Sequence, residues 1–560
     1  MDTVEDRFPT RTARVNKETL IRGFSRLPRV LKQMGYSGMR AGQDAAVTNI
    51  MGSRDTICIL PTSTGKTAVF VIPTLCLEWH TLVFSPLVAL MRDQVQGLQR
   101  MGIKAGQMSG MQSEAENNMA IRAWAAGNLD LLYVAPERLG NPMFMQGIEA
   151  VRPDLVVLDE AHTLSAWSDN FRPKYKVVGD FIAQYNPKCV AALTATAPGE
   201  VEQDIRDVLG LHGAQKLIYY PRRTNLHLHT RDYTNDFDIG ELVKEHRKGG
   251  AVLIYCATIK KVEQLAAALG DQLSMDVGFY HGELPDDVKR TNLDLFMTGR
   301  VNIMVATNAF GMGVDKPNIR LVLHRDLPGS VEALQQEIGR AGRDGLDSMC
   351  ITLRATDAIN TQQFFINNGH PKQEEIEAVF AAYDKSKGPD GVVSLTGNEI
   401  AKIAGVSSFK VDACISILVA NQVIEDAQAT EKIARVKFVG SSEVDRFKKW
   451  REDLEKNGFM RGDEFLEFDL NAFVRRCGLG YSTVCSYLRD WDKQDLIRYV
   501  SPFRGKSRKV IGKPHLIDFP RLQLKAIDAQ RKLRDVMKYF SVPDEEKHAY
   551  LEEYFQVHQI

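Results

Sequence analysis
Two stretches of this chain carry residues that together can do phosphate chemistry. Pro61-Thr62-Ser63-Thr64-Gly65-Lys66-Thr67 offers backbone N–H groups, an ammonium at Lys66 suited to β/γ-phosphates, and a Thr67 hydroxyl able to ligate a metal. Further on, Val156-Val157-Leu158 runs into Asp159-Glu160-Ala161-His162. An apolar run that ends in two adjacent carboxylates is a buried strand delivering acid to its carboxyl edge. There Asp159 can hold magnesium and Glu160 can polarise a water for attack on a phosphate. Taken singly, the two stretches are a helix start and an acidic strand end. In this order they make an ATP-hydrolysing site. Leu60 stands where the first glycine of a strict phosphate loop would be, so Pro61 and Thr62 must shape the turn.

Other residues can complete the site. Tyr36 and Arg40 are able to sandwich an adenine ring, and Gln43 offers a donor and an acceptor to its polar edge, although a surface helix can carry the same residues. In the second half, Val305 to Asp315 follows a strand, and Gln336-Glu337-Ile338-Gly339-Arg340-Ala341-Gly342-Arg343-Asp344 comes after it. Arg340 and Arg343, three apart, share one face of a helix. Aimed at the γ-phosphate they would act as arginine fingers; the plainer alternative is a solvated basic helix face.

These residues need a scaffold, and the pattern around them supplies one. From about Leu31 to Ile218, buried β-branched runs (Thr56–Leu60, Thr81–Ser85, Leu131–Ala135, Leu155–Asp159, Val190–Thr194) alternate with helix-period segments. A second series holds Ala251–Cys256, Gly278–His281, Val301–Thr307 and Leu321–His324. The expected fold is α/β: two tandem RecA-like parallel-sheet domains, residues 31–218 and 219–368, behind an N-terminal extension, 1–30. Beyond Ile366, helix, tight turn, helix and β-ribbon occur twice, with the ribbons expected at Val423–Phe438 and Ile497–Ile511. This predicts winged-helix-like domains over 369–440 and 441–515, with a pair of generic helical hairpins as the alternative, and a C-terminal helical hairpin over 516–560.

Composition sets limits. At 560 residues the chain is too long for one core, and its 44% apolar and 25% charged residues are those of globular protein. Lys+Arg and Asp+Glu are both 71, so a nucleic-acid partner has to be argued from local patches. The patch available is Arg504-Gly505-Lys506-Ser507-Arg508-Lys509 behind Phe503, a duplex contact or a solvated hairpin tip. None of the eight cysteines forms a Cys-x-x-Cys pair, so neither a disulfide framework nor a cysteine zinc site is expected. Met1 to Arg14 lacks the apolar core of a signal peptide, and no apolar run approaches the roughly 20 residues of a membrane span, so a soluble intracellular protein with no membrane partner is expected.

With Ser85–Met91, Tyr133–Leu139, Ala192–Ala197 and Phe310–Gly313 added, the motif set resembles the RecQ-type DNA helicases of superfamily two over about Leu31 to Leu353. The resemblance implies ATP and magnesium as cofactors, single-stranded and forked or duplex DNA as partners, 3′→5′ translocation, and work in the nucleoid or nucleus. It implies nucleotide contacts from Thr62, Ser63, Thr64, Gly313 and Asp315, a catalytic role for Gln336, and nucleic-acid contacts from Ser85, Pro86 and Thr307. The stretch His162 to Pro173 is similar to the aromatic-rich loop that couples DNA binding to hydrolysis in that family. Trp167 and Phe171 suit base stacking and Arg172 suits phosphates, unless the rings plug an interdomain cleft. Ala166 and Ser168-Asp169 depart from the family pattern there. The four-cysteine zinc site usual in RecQ proteins has no counterpart after Cys350. Met537–Phe540 and Leu551–Phe555 resemble the hairpin that frames it, with Glu546 where the first ligand would stand. The reading is a zinc module without its metal. Weak unwinding by a DNA translocase, or an RNA-directed helicase, are the competing functions; His162 and the aromatic loop speak against the latter.

Overall fold
The computed structural model describes residues 15, 17–60, 65–86, 88–165, 177–195, 199–219, 222–233, 235–311, 314–354, 358–387, 391–393, 395–427, 433–460, 465–479, 481–500 and 507–557. Contacts divide the chain into two units, one of residues 1–363 with 529–560 and one of residues 364–528.

The first unit contains two parallel sheets. In the first, β1 (Thr56–Ile59), β2 (Thr81–Phe84), β3 (Ala105–Met108), β4 (Leu131–Val134), β5 (Leu155–Leu158), β6 (Cys189–Thr194) and β7 (Gln215–Ile218) lie in the order β3-β4-β2-β5-β6-β1-β7. The five expected strands are the buried ones; β3 and β7, absent from the sequence reading, are the sheet's edges. Ala-Gly-Gln-Met and Gln-Lys-Leu-Ile are half exposed there and lack the apolar run that marks an inner strand. β1 and β5 flank β6, so their carboxyl ends open at the same edge. The helix Lys17–Gln33 packs on helix Lys66–Leu77, and its Val30 joins the core with Leu20 and Leu27 against it. Residues 17–30 are therefore part of the first domain rather than an extension.

The second sheet holds β8 (Leu226–Asp232), β9 (Ala251–Tyr255), β10 (Val277–Tyr280), β11 (Ile303–Ala306), β12 (Ile319–His324) and β13 (Ser348–Arg354), in the order β10-β11-β9-β12-β13-β8. The C-terminal helices Phe519–Ser541 and Lys547–Val557 return to this sheet. Val536, Tyr539, Phe540, Leu551, Tyr554 and Phe555 are buried in one core with Leu226, Leu334 and Ile338. The hairpin expected over 516–560 exists, but its apolar face is a layer of the second parallel-sheet domain.

Among its described residues the second unit has two small cores and seven short strands: β14 (Val392–Val393), β15 (Ile424–Asp426), β16 (Ile433–Phe438), β17 (Phe459–Met460), β18 (Leu466–Asp469), β19 (Ile497–Val500) and β20 (Arg508–Val510). They form sheets β14-β20-β15 and β17-β18-β16-β19. Helices Gln373–Lys385, Gly397–Ala404 and Ser408–Ala420 cover the first, and Asp445–Asn457, Leu470–Cys477 and Tyr481–Lys493 belong with the second. Helix, turn and helix occur in both halves of the unit, but among the described residues neither expected ribbon pairs with itself. β15 pairs with β20, and β16 with β18 and β19. The reason lies in the cores: Ile497 and Tyr499 pack with Trp450 and Phe473, whereas Val510 packs with Ile376 and Leu418. The limits 369–440 and 441–515 are corrected accordingly. The inner domain, 433–500, is inserted between the two wing strands of the outer one, and Asp426 sits opposite Arg508 at the junction. Among the described residues no single helix is long and apolar enough to cross a membrane.

Candidate functional site
The site grows from the carboxyl ends of β1 and β5. After β1 the chain reaches Gly65, whose φ of +77° opens the helix that begins at Lys66. Gly65 is needed for space as well: a Cβ there would lie 2.7 Å from Gln43 Nε2. After β5, Glu160 itself adopts φ +50°, a conformation costing a non-glycine residue about 1–2 kcal/mol, and caps the short turn Ala161–Leu164. Thr163 holds that bend by donating its N–H (3.0 Å) and hydroxyl (2.9 Å) to the Glu160 carbonyl. The turn aims the Glu160 carboxylate at Lys66, with Nζ and Oε1 3.1 Å apart and both side chains largely buried.

Charge in this pocket is unevenly shared. Burial would raise Glu160, but the ammonium of Lys66 and His162 beside it hold its carboxyl below the usual range. Burial and the Glu160 charge push Asp159 up to about 6, against the pull of Lys66. Glu160 thus stays ionised while Asp159 is a negative group without a full counter-charge, which suits a carboxylate awaiting a divalent cation. Asp159 also accepts a hydrogen bond from the Glu160 N–H at 3.0 Å, with Gln94 beside it. His162 Nδ1 lies 3.0 Å from Thr194 Oγ1 and 3.4 Å from Glu160 Oε2, tying the end of β6 to the acidic turn. Thr67 is half-buried one residue into the helix.

Gln43 is buried and spans the entrance: its Oε1 accepts the Arg40 N–H (2.8 Å) and its Nε2 donates to the Gly65 carbonyl (3.2 Å). Tyr36 is half-buried and Arg40 exposed nearby. Thr62, Ser63, Thr64 and Gly313 lie outside the described residues.

From the second sheet come the two arginines, though not on a helix. The helix Val331–Ile338, which carries a half-buried Gln336, ends before them, and Arg340 and Arg343 sit in the following turns. Gly342 at φ +52° shapes the turn between them, and a Cβ there would meet Asn225, Leu346 and Ser348 within 2.7 Å. Both arginines lie near enough for their charge to act on the site. The Glu160 carboxylate feels the charge of Arg340, and Lys66 that of Arg343. Arg340 is buried against Gly311, where an added Cβ would lie 2.8 Å from its Nη2, and its charge is felt at the Tyr255 hydroxyl. That hydroxyl donates to the Phe310 carbonyl at 3.0 Å. Arg343 donates to Asp315 at 2.6 Å.

The expected nucleic-acid residues fare differently. Ser85, Pro86 and Thr307 are buried, so in this conformation none presents its side chain outward. The cause is strand geometry: Ser85 and Thr307 continue β2 and β11, with their N–H groups bonded to Val134 and Tyr280. Arg508, expected as a free cation, is largely buried and pairs with Asp426 at 3.4 Å. Lys509 beside it is exposed. Trp167, Phe171, Arg172, Phe503, Arg504 and Lys506 lie outside the described residues. Sequence reasoning missed Gln94, Thr194 and Tyr255, whose types are ordinary and whose roles come from neighbours distant in the chain.

Comparison with known proteins agrees with this geometry. Residues 40–205 match the DEAD/DEAH box helicase family and residues 237–345 the helicase conserved C-terminal domain. The chain is 37% identical over 344 residues to the ATP-dependent DNA helicase RecQ of Bacillus subtilis (strain 168), covering 61% of this chain and 58% of that protein. It is 34% identical over 372 residues to the probable ATP-dependent DNA helicase RecS of the same organism, covering 66% of this chain and 74% of the relative. The crystal structure of the DUF1998 helicase MrfA bound to DNA shares the fold at a TM-score of 0.51 and 18% identity, over 61% of this chain and 49% of that one. With its motifs in the same order and its two sheets meeting around Lys66, Glu160 and Arg340, the chain belongs to the RecQ-type helicases of superfamily two.

Proposed function
We propose that this protein is an ATP-dependent DNA helicase that hydrolyses ATP at the Lys66–Glu160 site, moves 3′→5′ on single-stranded DNA and unwinds duplex DNA in the nucleoid or nucleus. The observation that carries the reading is the 3.1 Å pair of Lys66 and Glu160 beside Asp159, faced by Arg340 and Arg343 from the second sheet. An entering triphosphate draws the Lys66 ammonium away from Glu160, because phosphate oxygens carry more charge than one carboxylate. Glu160, freed, accepts a proton from the attacking water. Asp159 and Thr67 are the residues that would hold magnesium, which neutralises phosphate charge when bound. Arg340 stabilises charge on the γ-phosphoryl group as it passes from departing ADP to the water. ATP hydrolysis with and without single-stranded DNA, and strand displacement on duplexes tailed at either end, test the reading. DNA-stimulated turnover and unwinding of 3′-tailed duplex are expected; turnover indifferent to DNA would sink it.

Coupling to DNA is assigned to Trp167, with Phe171 and Arg172. Stacking contributes on the order of 1–3 kcal/mol per base. Trp167→Ala should therefore abolish most of the stimulation by single-stranded DNA and leave the basal rate near parental. Equal loss of both rates would make the ring a structural plug.

The C-terminal hairpin is read as a zinc-free module. Its support is a buried ammonium: Lys547 Nζ donates to the Tyr539 and Val542 carbonyls, both at 3.0 Å, and lies 4.4 Å from the centre of the Tyr539 ring. Burial lowers this lysine from 10.5 to about 8. The unfolded chain then keeps the proton to higher pH than the fold does, so the Lys547 contribution to stability grows as pH rises from about 8 towards 10.5. Melting of the parent relative to Lys547→Met should improve over that window, and chelators should leave both curves in place. One zinc per chain by elemental analysis would overturn the zinc-free reading.

A further inference from the structure
We propose that Arg223, which belongs to none of the motifs above, is a positioning residue that sets the finger loop so that Arg340 reaches the reacting phosphate; this rests on the hydrolytic reading just given. The loop after Ile338 has left its helix, so the Gly339 and Ala341 carbonyls lack the amide partners a continued helix would give them, while the Gly342 carbonyl takes the Gly345 N–H at 3.0 Å. Arg223 fills that need. Its guanidinium donates to three of them, Gly339 at 3.2 Å, Ala341 at 2.9 Å and Gly342 at 2.6 Å, on either side of Arg340. Asn225 adds bonds to Gly342 (2.9 Å) and Leu346 (3.0 Å). The far end of the loop is held separately, by Arg320 paired with Asp344 and bonded to Leu346. The loop is thus pinned on both sides of its two arginines, and the pin nearer Arg340 comes from the segment that joins β7 to β8.

Two features argue that this is more than loop packing. A planar fork bonds the Gly339 carbonyl from one nitrogen and those of Ala341 and Gly342 from the other, a spacing that a lysine, with all its donors on one nitrogen, does not reproduce. The location is also adverse to a cation: burial strips its hydration first, and repulsion from Arg343 and Arg40 is only partly offset by Asp344. A neutral donor would pack the loop without that repulsion, but would not span it. Arg223 therefore fixes the loop at the place where the reaction is sensitive to finger position.

Steady-state hydrolysis with saturating single-stranded DNA tests this in the full chain, for Arg223→Gln and Arg223→Lys. kcat should fall on the order of 10- to 100-fold in both, the scale expected of an angstrom-level misplacement, with KM for ATP nearly unchanged. In an Arg340→Ala background the same changes should cost less than about twofold more, because the finger they position is gone. A raised KM at parental kcat, full activity in Arg223→Lys, or independent losses that multiply with Arg340→Ala would each overturn the proposal. Arg223→Lys keeps stem and charge, so its melting temperature separates a misfolded variant from a mispositioned finger. Lys66→Ala in the same assay separates the two ideas: parental turnover there would refute the hydrolytic site itself.

Discussion
Glu160→Gln is expected to hold ATP more tightly than the parent while hydrolysing it on the order of 100-fold or more slowly. Both halves of that result follow from one contact. With no nucleotide bound, the Lys66 ammonium is spent on Glu160 at 3.1 Å. Nucleotide has to break that pair before Lys66 can serve the phosphates. A glutamine amide carries no net charge, so the competing ion pair is gone and binding improves. The same amide cannot take a proton from water, so turnover fails. Lys66→Ala should behave differently, losing affinity and turnover together. Equilibrium binding of a non-hydrolysable ATP analogue, measured beside single-turnover hydrolysis, separates the two variants. Parental hydrolysis by Glu160→Gln would remove Glu160 from the mechanism.

Arg340→Ala should cost more in the chemical step than in binding. A guanidinium that meets developing charge on a phosphoryl group contributes on the order of 10³-fold or more to turnover. Arg340 is the better placed of the pair for that work. It is buried, adjacent to Gly311 and Tyr255, and senses Glu160 directly. Arg343 already has a partner in Asp315 and is suited to holding ground-state charge. The expected pattern is a collapse of kcat with KM changed only a few-fold for Arg340→Ala, and a larger KM effect for Arg343→Ala. The reverse pattern would exchange their roles.

Much of this site was legible because its signals are local. Thr56–Ile59 and Leu155–Leu158 are buried on both faces, so their apolar runs announce inner strands, and the residues that follow them announce the chemistry. Edge strands such as Gln215–Ile218 carry no such run. Helical spacing suggested a shared face for Arg340 and Arg343, but Gly342 and the carbonyl bonds of Arg223 impose turns instead, a choice made by a residue more than a hundred positions away. The aromatic pattern of Tyr539 to Phe555 shows an apolar face; it does not say that the surface beneath is the second motor sheet. Strand pairing in the C-terminal unit was illegible for the same reason. Alternation marks a strand, and only the cores decide its partner.

The inserted domain has a consequence for synthesis. β20 is the middle strand of its sheet, and β14 and β15 bond to it rather than to each other. A ribosome releases β14 and β15 first, then every strand of the inner domain, and β20 only afterwards. The inner domain can finish folding while the outer one still lacks its centre. Until then Ile376, Val379, Ile400 and Leu418 have helices to sit on but no completed sheet to cover them. The usual N-to-C order of folding is inverted here, and the interval before β20 emerges is when this chain most needs shelter from its neighbours.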